Sequence, residues 1–447
     1  MSARGFPDDF VWGAASSAYQ IEGAPAADGK GESIWDGFVR LPGKIRDGSS
    51  GEVACDHYRR FGEDVRLMKE LGLRGYRFSV SWPRVLPDGT GAINARGLDF
   101  YSRLVDALLE ANVEPWLTLY HWDLPIALQE RGGWASRDVA GWFSDYASLV
   151  ARTLGDRVRR FITLNEPQIF CVFGHLTGEH APGLVDVPAY FAASHHVHLA
   201  HGLAVRAVRA AAPSARIGIA EQIFACHPAT DSEADRAAAR RVDGVFNRWY
   251  LDPLLRGSYP EDVLSLFSFL PSPVRDGDLD VVGAPLDFVG INNYTRQLVR
   301  HDPNVPLFEV SVDGRRPGAE YTEMGWEVCP EAFGEVLACL RTEYGNPTVV
   351  VTENGAAMPE TIDGDGVHDP RRIDYLRRYL EELGRQIAAG SSVAGYFVWS
   401  LTDNFEWAHG LEKRFGLVRV DYDTQKRTPK DAAAWYAAWI AEHSARG

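Results

Sequence analysis

Two glutamates occupy similar settings far apart in the chain. Glu166 follows the strand-like run Arg160-Phe161-Ile162-Thr163-Leu164 and stands in "TLNEP"; Glu353 follows "TVVVT" and stands in "VTENG". Asn165 precedes the first and Asn354 follows the second. Pro167 forbids the first strand from continuing past Glu166. Two carboxylates brought together by strand ends can divide the work of cleaving a glycosidic bond. One holds a proton for the leaving oxygen; the other is ionised, as nucleophile or as base for water. Either motif alone is short enough to arise by chance. The surroundings must decide.

Those surroundings supply matching groups. Arg77 lies on the alternation Arg77-Ser79-Ser81, so the three share one face of a strand. A cation there, beside Glu353, would keep that carboxylate charged. Tyr294, after Asn292 and Asn293, can hold its oxygen by a hydrogen bond. Gln20, His121, Asn165 and Glu406 offer donors and acceptors to sugar hydroxyls. Trp399 and Trp407 offer flat faces to a pyranose ring, and Trp122 follows His121 directly; the chain has 13 Trp in all. Taken singly, Arg77 reads as an ion-pair partner, Trp399 as core and His121 as a satisfied buried histidine. Their joint position at strand ends is what favours a site.

The elements that would put them there are eight strand-like runs: residues 10–18, 76–82, 115–121, 160–165, 216–220, 288–293, 348–353 and 394–400. Several are nearly continuous apolar runs, as in strands covered on both faces. Between them, stretches such as "HYRRFGEDVRLMKELG" and "DYLRRYLEELGRQIAAG" place apolar residues at helical spacing and end at glycine. Strand and helix alternating eight times predict a single (β/α)₈ TIM barrel over residues 1–447. The extra length falls in loops near 23–56, 167–190, 296–328 and 403–416, at the C-terminal face of the strands.

Composition narrows the partners. A net charge of −15 disfavours nucleic acid and anionic membranes. Five cysteines without CxxC spacing, and an N-terminus without an apolar segment, predict a cytoplasmic protein. His195, His198 and His201 in "SHHVHLAHG" share helical spacing but have no acidic or cysteine ligand in sequence, so no metal site is expected there. The six lysines fall outside the strand runs, which disfavours Schiff-base chemistry. No cofactor is expected.

The chain resembles the β-glucosidases of glycoside hydrolase family 1 along its whole length. The motifs "YRFSVSWPR", "YHWDLP", "TLNEP", "GINNYT", "VTENG" and "WSLTDNFEWAHG" stand in the family's order. The resemblance implies a retaining exo-acting β-glycosidase acting on small β-glycosides or short β-linked oligosaccharides, with Glu166 as acid/base and Glu353 as nucleophile. Arg77, Asn292 and Tyr294 match groups around the nucleophile, and Asn165 the group that binds the sugar 2-hydroxyl. Gln20, His121, Glu406 and Trp407 match the groups that hold the other hydroxyls, Trp399 the platform under the ring, and Trp326 an aromatic at the aglycone entrance. An acidic Glu406 implies repulsion of a 6-phosphate. The family's alternatives are β-galactosidase and β-fucosidase; a non-catalytic sugar-binding barrel would be expected to lack one carboxylate.

Overall fold

The computed structural model describes residues 5–312 and 314–444. Eight parallel strands close into a barrel in chain order: β1 (Val11–Ala15), β2 (Gly75–Ser79), β3 (Glu114–Tyr120), β4 (Arg160–Asn165), β5 (Arg216–Gln222), β6 (Phe288–Asn292), β7 (Val349–Asn354) and β8 (Val393–Trp399). β8 pairs back onto β1 from Val11↔Gly395 to Ala15↔Trp399. Each run read as a strand forms one.

Two boundaries differ in a way that matters. The first run stops at Ala15, and Gln20 sits on a short helix, Ala18–Ile21, rather than at a strand end. β5 continues two residues past Ala220, through Glu221 to Gln222. Seven further strands of five residues or fewer lie outside the barrel among the described residues. They are too short to produce an apolar run.

The helices follow their apolar spacing. Helix Pro370–Ala388 buries Tyr375, Leu376, Tyr379, Leu380, Leu383 and Ile387, one stripe of a 3.6-residue period. Among the described residues, no helix is long and apolar enough to cross a membrane.

Inside the barrel, Trp116, Ile162, Phe288, Val350 and Phe397 form a packed plug. Trp116 meets Phe288 edge-on at 5.5 Å and Phe397 tilted at 5.0 Å. Two inward glycines make room for these rings. A Cβ on Gly13 would fall 2.5 Å from the Phe397 ring, and one on Gly218 would fall 2.4 Å from the Phe288 ring. The interior is therefore a core, not a pore. The site is confined to the C-terminal ends of the strands.

Candidate active site

Glu166 and Glu353 stand at the ends of β4 and β7, and both strands are irregular there. The pairing of β4 with β5 shifts register between Ile162 and Asn165, and that of β7 with β6 shifts between Val351 and Glu353. Such irregularities re-aim the side chains that follow. Glu166 turns off its strand at φ 48°, a left-handed state uncommon for a non-glycine residue. Its N–H is held by the Ala220 carbonyl at 2.7 Å. Pro167 then opens the helix Pro167–Cys171, where its missing N–H costs nothing. Trp122 (φ 80°) and Trp407 (φ 49°) are also left-handed. Backbone strain of this kind gathers where side chains must be aimed.

The two carboxyls have different neighbours. Arg77 Nη1 donates to Glu353 Oε1, and the Tyr294 hydroxyl donates to Glu353 Oε2 at 2.5 Å. Arg77 is itself fixed by Thr352 O at 3.2 Å and Asn165 Oδ1 at 2.5 Å. Burial raises the Glu353 pKa, while the Arg77 charge and the Tyr294 bond oppose the rise. Among the described residues Glu166 has one donor, Asn292 Nδ2 at 2.8 Å. Burial, and then the negative charge of Glu353, hold its pKa well above the carboxylate range. The proton of the pair therefore resides on Glu166. Asn292 was grouped with the nucleophile, but its amide also reaches Asn165 Oδ1 at 3.0 Å, and it faces both glutamates. Thr352 Oγ1 fixes its other end at 2.6 Å. It bridges the two carboxyls rather than serving one.

A cavity of about 240 Å³ opens over these groups. Nine of the thirteen residues singled out in the sequence line it: Glu166 and Glu353 with His121, Trp122, Tyr294, Trp326, Trp399, Glu406 and Trp407. Arg77, Asn165, Asn292 and Gln20 stand behind its wall. His121 is stacked with Trp399 at 5.8 Å. Its Nε2 faces Asn165 Nδ2 at 3.1 Å, which assigns the proton to Nδ1, and Nδ1 has no partner among the described residues. Burial and Arg77 push its pKa well below the usual value, so it is a neutral donor. Trp122 packs on Trp407 at 4.5 Å and donates its indole N–H to Asn165 O at 2.8 Å.

Two expectations change in detail. Gln20 is fully buried with its side chain already committed. It donates to Asn404 Oδ1 at 3.1 Å and to Phe405 O at 2.9 Å, and accepts from Ser17 Oγ at 2.7 Å. It thereby anchors the loop that carries Glu406. Glu406 itself is pushed up to about 8, by burial first and by Glu353 second. At neutral pH it retains most of its proton, so charge repulsion of a 6-phosphate is weaker than a carboxylate would give. The lining residues nonetheless include no lysine or arginine to receive one.

The sequence reading missed Ile169, Phe173, His180, Gln222, Met324 and Phe415 in the cavity wall. Of these, Ile169 was the most accessible to it, three residues past Glu166 on the helix that Pro167 opens. The histidine helix, Val187–Ala211, is buried against its neighbours. His195 bonds Tyr259 and Asp278 at 2.8 Å each, His196 meets Trp134 O at 3.1 Å, and His201 meets Thr163 Oγ1 at 2.6 Å. Asp278 is an acidic partner that sequence spacing did not reveal. The described residues contain no group of three or more His, Cys, Asp or Glu side chains placed to hold a metal ion.

Comparison with known proteins agrees with the geometry. The family model for glycosyl hydrolase family 1 matches residues 2–445. β-Glucosidase A of Thermotoga maritima is 46% identical over 441 residues, 98% of each chain. A bifunctional β-D-glucosidase/β-D-fucosidase of Bifidobacterium breve is 45% identical over 466 residues, 99% of each. The solved structure of the Thermotoga maritima β-glucosidase in complex with deoxynojirimycin matches with a TM-score of 0.96 at 45% identity, covering 99% of this chain and 100% of that one. With a (β/α)₈ barrel and two unlike glutamates at its strand ends, the chain belongs to glycosyl hydrolase family 1.

Proposed function

We propose that the protein is a retaining exo-acting β-glucosidase that releases terminal β-D-glucosyl residues from small β-glycosides and short β-linked oligosaccharides. The observation that carries this is the unequal support of the two glutamates. Glu353, with a donor on each oxygen, is the group that stays ionised and attacks the anomeric carbon. Glu166, buried and facing that charge, keeps its proton for the leaving oxygen. Once Glu353 is esterified its charge is gone, the Glu166 pKa falls, and Glu166 takes a proton from the incoming water. His121 Nδ1–H and the partner-free Oε2 of Glu406 are placed to meet ring hydroxyls. Trp399 forms the apolar floor and Trp326 the entrance.

The names of the relatives support the glucosyl assignment, and that of the Bifidobacterium breve protein supports β-D-fucosides as second substrates. We assign residues 1–447 to one catalytic unit. Five free cysteines support a cytoplasmic setting. An assay of 4-nitrophenyl β-glucoside with and without chelator, followed by NMR of the first-formed sugar, tests the reading. Chelator-insensitive release of the β-anomer is expected. First release of the α-anomer would replace retention by inversion.

A further inference from the structure

Asn354 follows Glu353 directly and closes β7, yet it stands outside the cavity wall. It is fully buried. Its side-chain nitrogen donates to Asn293 O at 2.7 Å and to the Tyr375 hydroxyl at 3.0 Å. Its side-chain oxygen accepts from the Tyr396 hydroxyl at 2.7 Å. The orientation of the amide follows from these partners, because a backbone carbonyl can only accept.

Asn293 O belongs to the peptide group that leads into Tyr294. The N–H of Asn293 donates to Glu353 O at 3.1 Å. Asn293 is therefore tied to Glu353 through its backbone donor and to Asn354 through its backbone acceptor. The peptide on the far side of Tyr294 is held as well. Tyr294 O accepts from the hydroxyls of Tyr375 at 3.3 Å and Tyr379 at 3.2 Å. These two tyrosines lie one turn apart on the helix Pro370–Ala388, their rings stacked at 4.2 Å. β6 itself ends at Asn292, so beyond it these side chains replace the strand ladder. The Tyr294 Cα thus sits between two fixed peptide planes. Its ring packs on Trp326 at 5.2 Å, and its hydroxyl reaches Glu353 Oε2 at 2.5 Å.

We infer that Asn354, with Tyr375 and Tyr379 behind it, is a positioning residue. It fixes the peptide that carries Tyr294 to the strand end that carries Glu353, and so holds the Tyr294 hydroxyl on Glu353 Oε2. The inference rests on the assignment of Glu353 as the nucleophile. The charged and titratable groups that face Glu353 are Arg77 from β2, Glu166 after β4, Tyr294 after β6 and Glu406 from the loop after β8. Of these, Tyr294 is the one whose peptide group Asn354 holds.

The test is a double-mutant cycle between Asn354→Ala and Tyr294→Phe, read as pH profiles of kcat/KM on an aryl β-glucoside. With Tyr294 present, Asn354→Ala should lower kcat/KM about tenfold, a loss of the kind misplacement causes. The acidic limb should move upward, because the Tyr294 bond opposes protonation of Glu353. That shift should not exceed the one caused by Tyr294→Phe. In the Tyr294→Phe enzyme, the same Asn354→Ala change should alter kcat/KM by less than about twofold and leave the limb in place, since the bond it serves is already gone. Equal losses in both backgrounds, or an acidic limb unmoved by Asn354→Ala when Tyr294 is present, would overturn the proposal. Should Asn354→Ala not fold, the combined change Tyr375→Phe and Tyr379→Phe, which strips both hydroxyls from Tyr294 O, takes its place in the cycle under the same two criteria. Wild type that hydrolyses no β-glucoside would instead remove the functional reading, independently of Asn354.

Discussion

The ends of β4 and β7 carry the same side chain and prepare it for opposite work. Glu353 is held by a guanidinium on one oxygen and a phenol on the other. Glu166 is held by a single amide, on a strained turn, facing the charge of its counterpart. Both carboxyls are buried, so burial cannot separate them. What separates them is the count and charge of their donors. On the proposed reading, two identical groups take an acid role and a nucleophile role from their surroundings.

Removing either carboxylate should break the comparison most visibly. Glu353→Gln should lower kcat on the order of 10⁶-fold, the scale seen when a covalent nucleophile is lost. The same change should lower the Glu166 pKa, followed by carbon-13 NMR of the carboxyl, because the neighbouring charge has gone. An unchanged Glu166 titration would show that Glu353 does not hold its proton. Glu166→Ala should be milder and selective. Substrates with poor leaving groups should lose roughly 10²- to 10⁴-fold in kcat/KM, the usual reach of general acid catalysis. Dinitrophenyl substrates should still glycosylate the enzyme and then stall.

Changing the supports should sharpen the comparison rather than erase it. On the proposed roles, kcat/KM should rise with pH as Glu353 loses its proton and fall at higher pH as Glu166 loses its own. Arg77→Met withdraws the cation that opposes protonation of Glu353. The acidic limb should therefore move upward by about 1–3 pH units, the effect of one nearby opposite charge. Tyr294→Phe removes one hydrogen bond to the same carboxylate. It should move that limb in the same direction but less, and lower kcat roughly 10- to 100-fold, the value of a charge-assisted bond. A basic limb that moved more than the acidic one in either variant would mean that these groups serve Glu166.

The barrel was legible in the sequence because its strands are covered on both faces and read as apolar runs. The boundaries were less so. The first run seemed to reach Ala18 because alanine and serine suit several conformations, yet the chain turns into a helix there and carries Gln20 with it. The β5 run was bounded at Ala220, although Glu221 and Gln222 are its last paired residues. Most of the site was legible because the groups stand next to strand ends. His180, Met324 and Phe415 were not, since they come from loops whose course is set by packing and not by any period, and neither was Phe173, on the short helical segment Val172–Leu176. The bridging position of Asn292 exists only once barrel closure brings the ends of β4, β6 and β7 together, with β5 between β4 and β6.

The roles of the two glutamates are tested most directly by the anomeric configuration of azide products. Azide can enter the space left by a truncated carboxylate. In Glu353→Gly it attacks the substrate from the nucleophile's face, and a β-glucoside should yield the α-glucosyl azide. In Glu166→Ala a good leaving group first glycosylates Glu353, and azide then displaces that ester to give the β-glucosyl azide. Proton NMR of each product distinguishes them. The β-azide from the Glu353 variant and the α-azide from the Glu166 variant would reverse the assignment of acid and nucleophile.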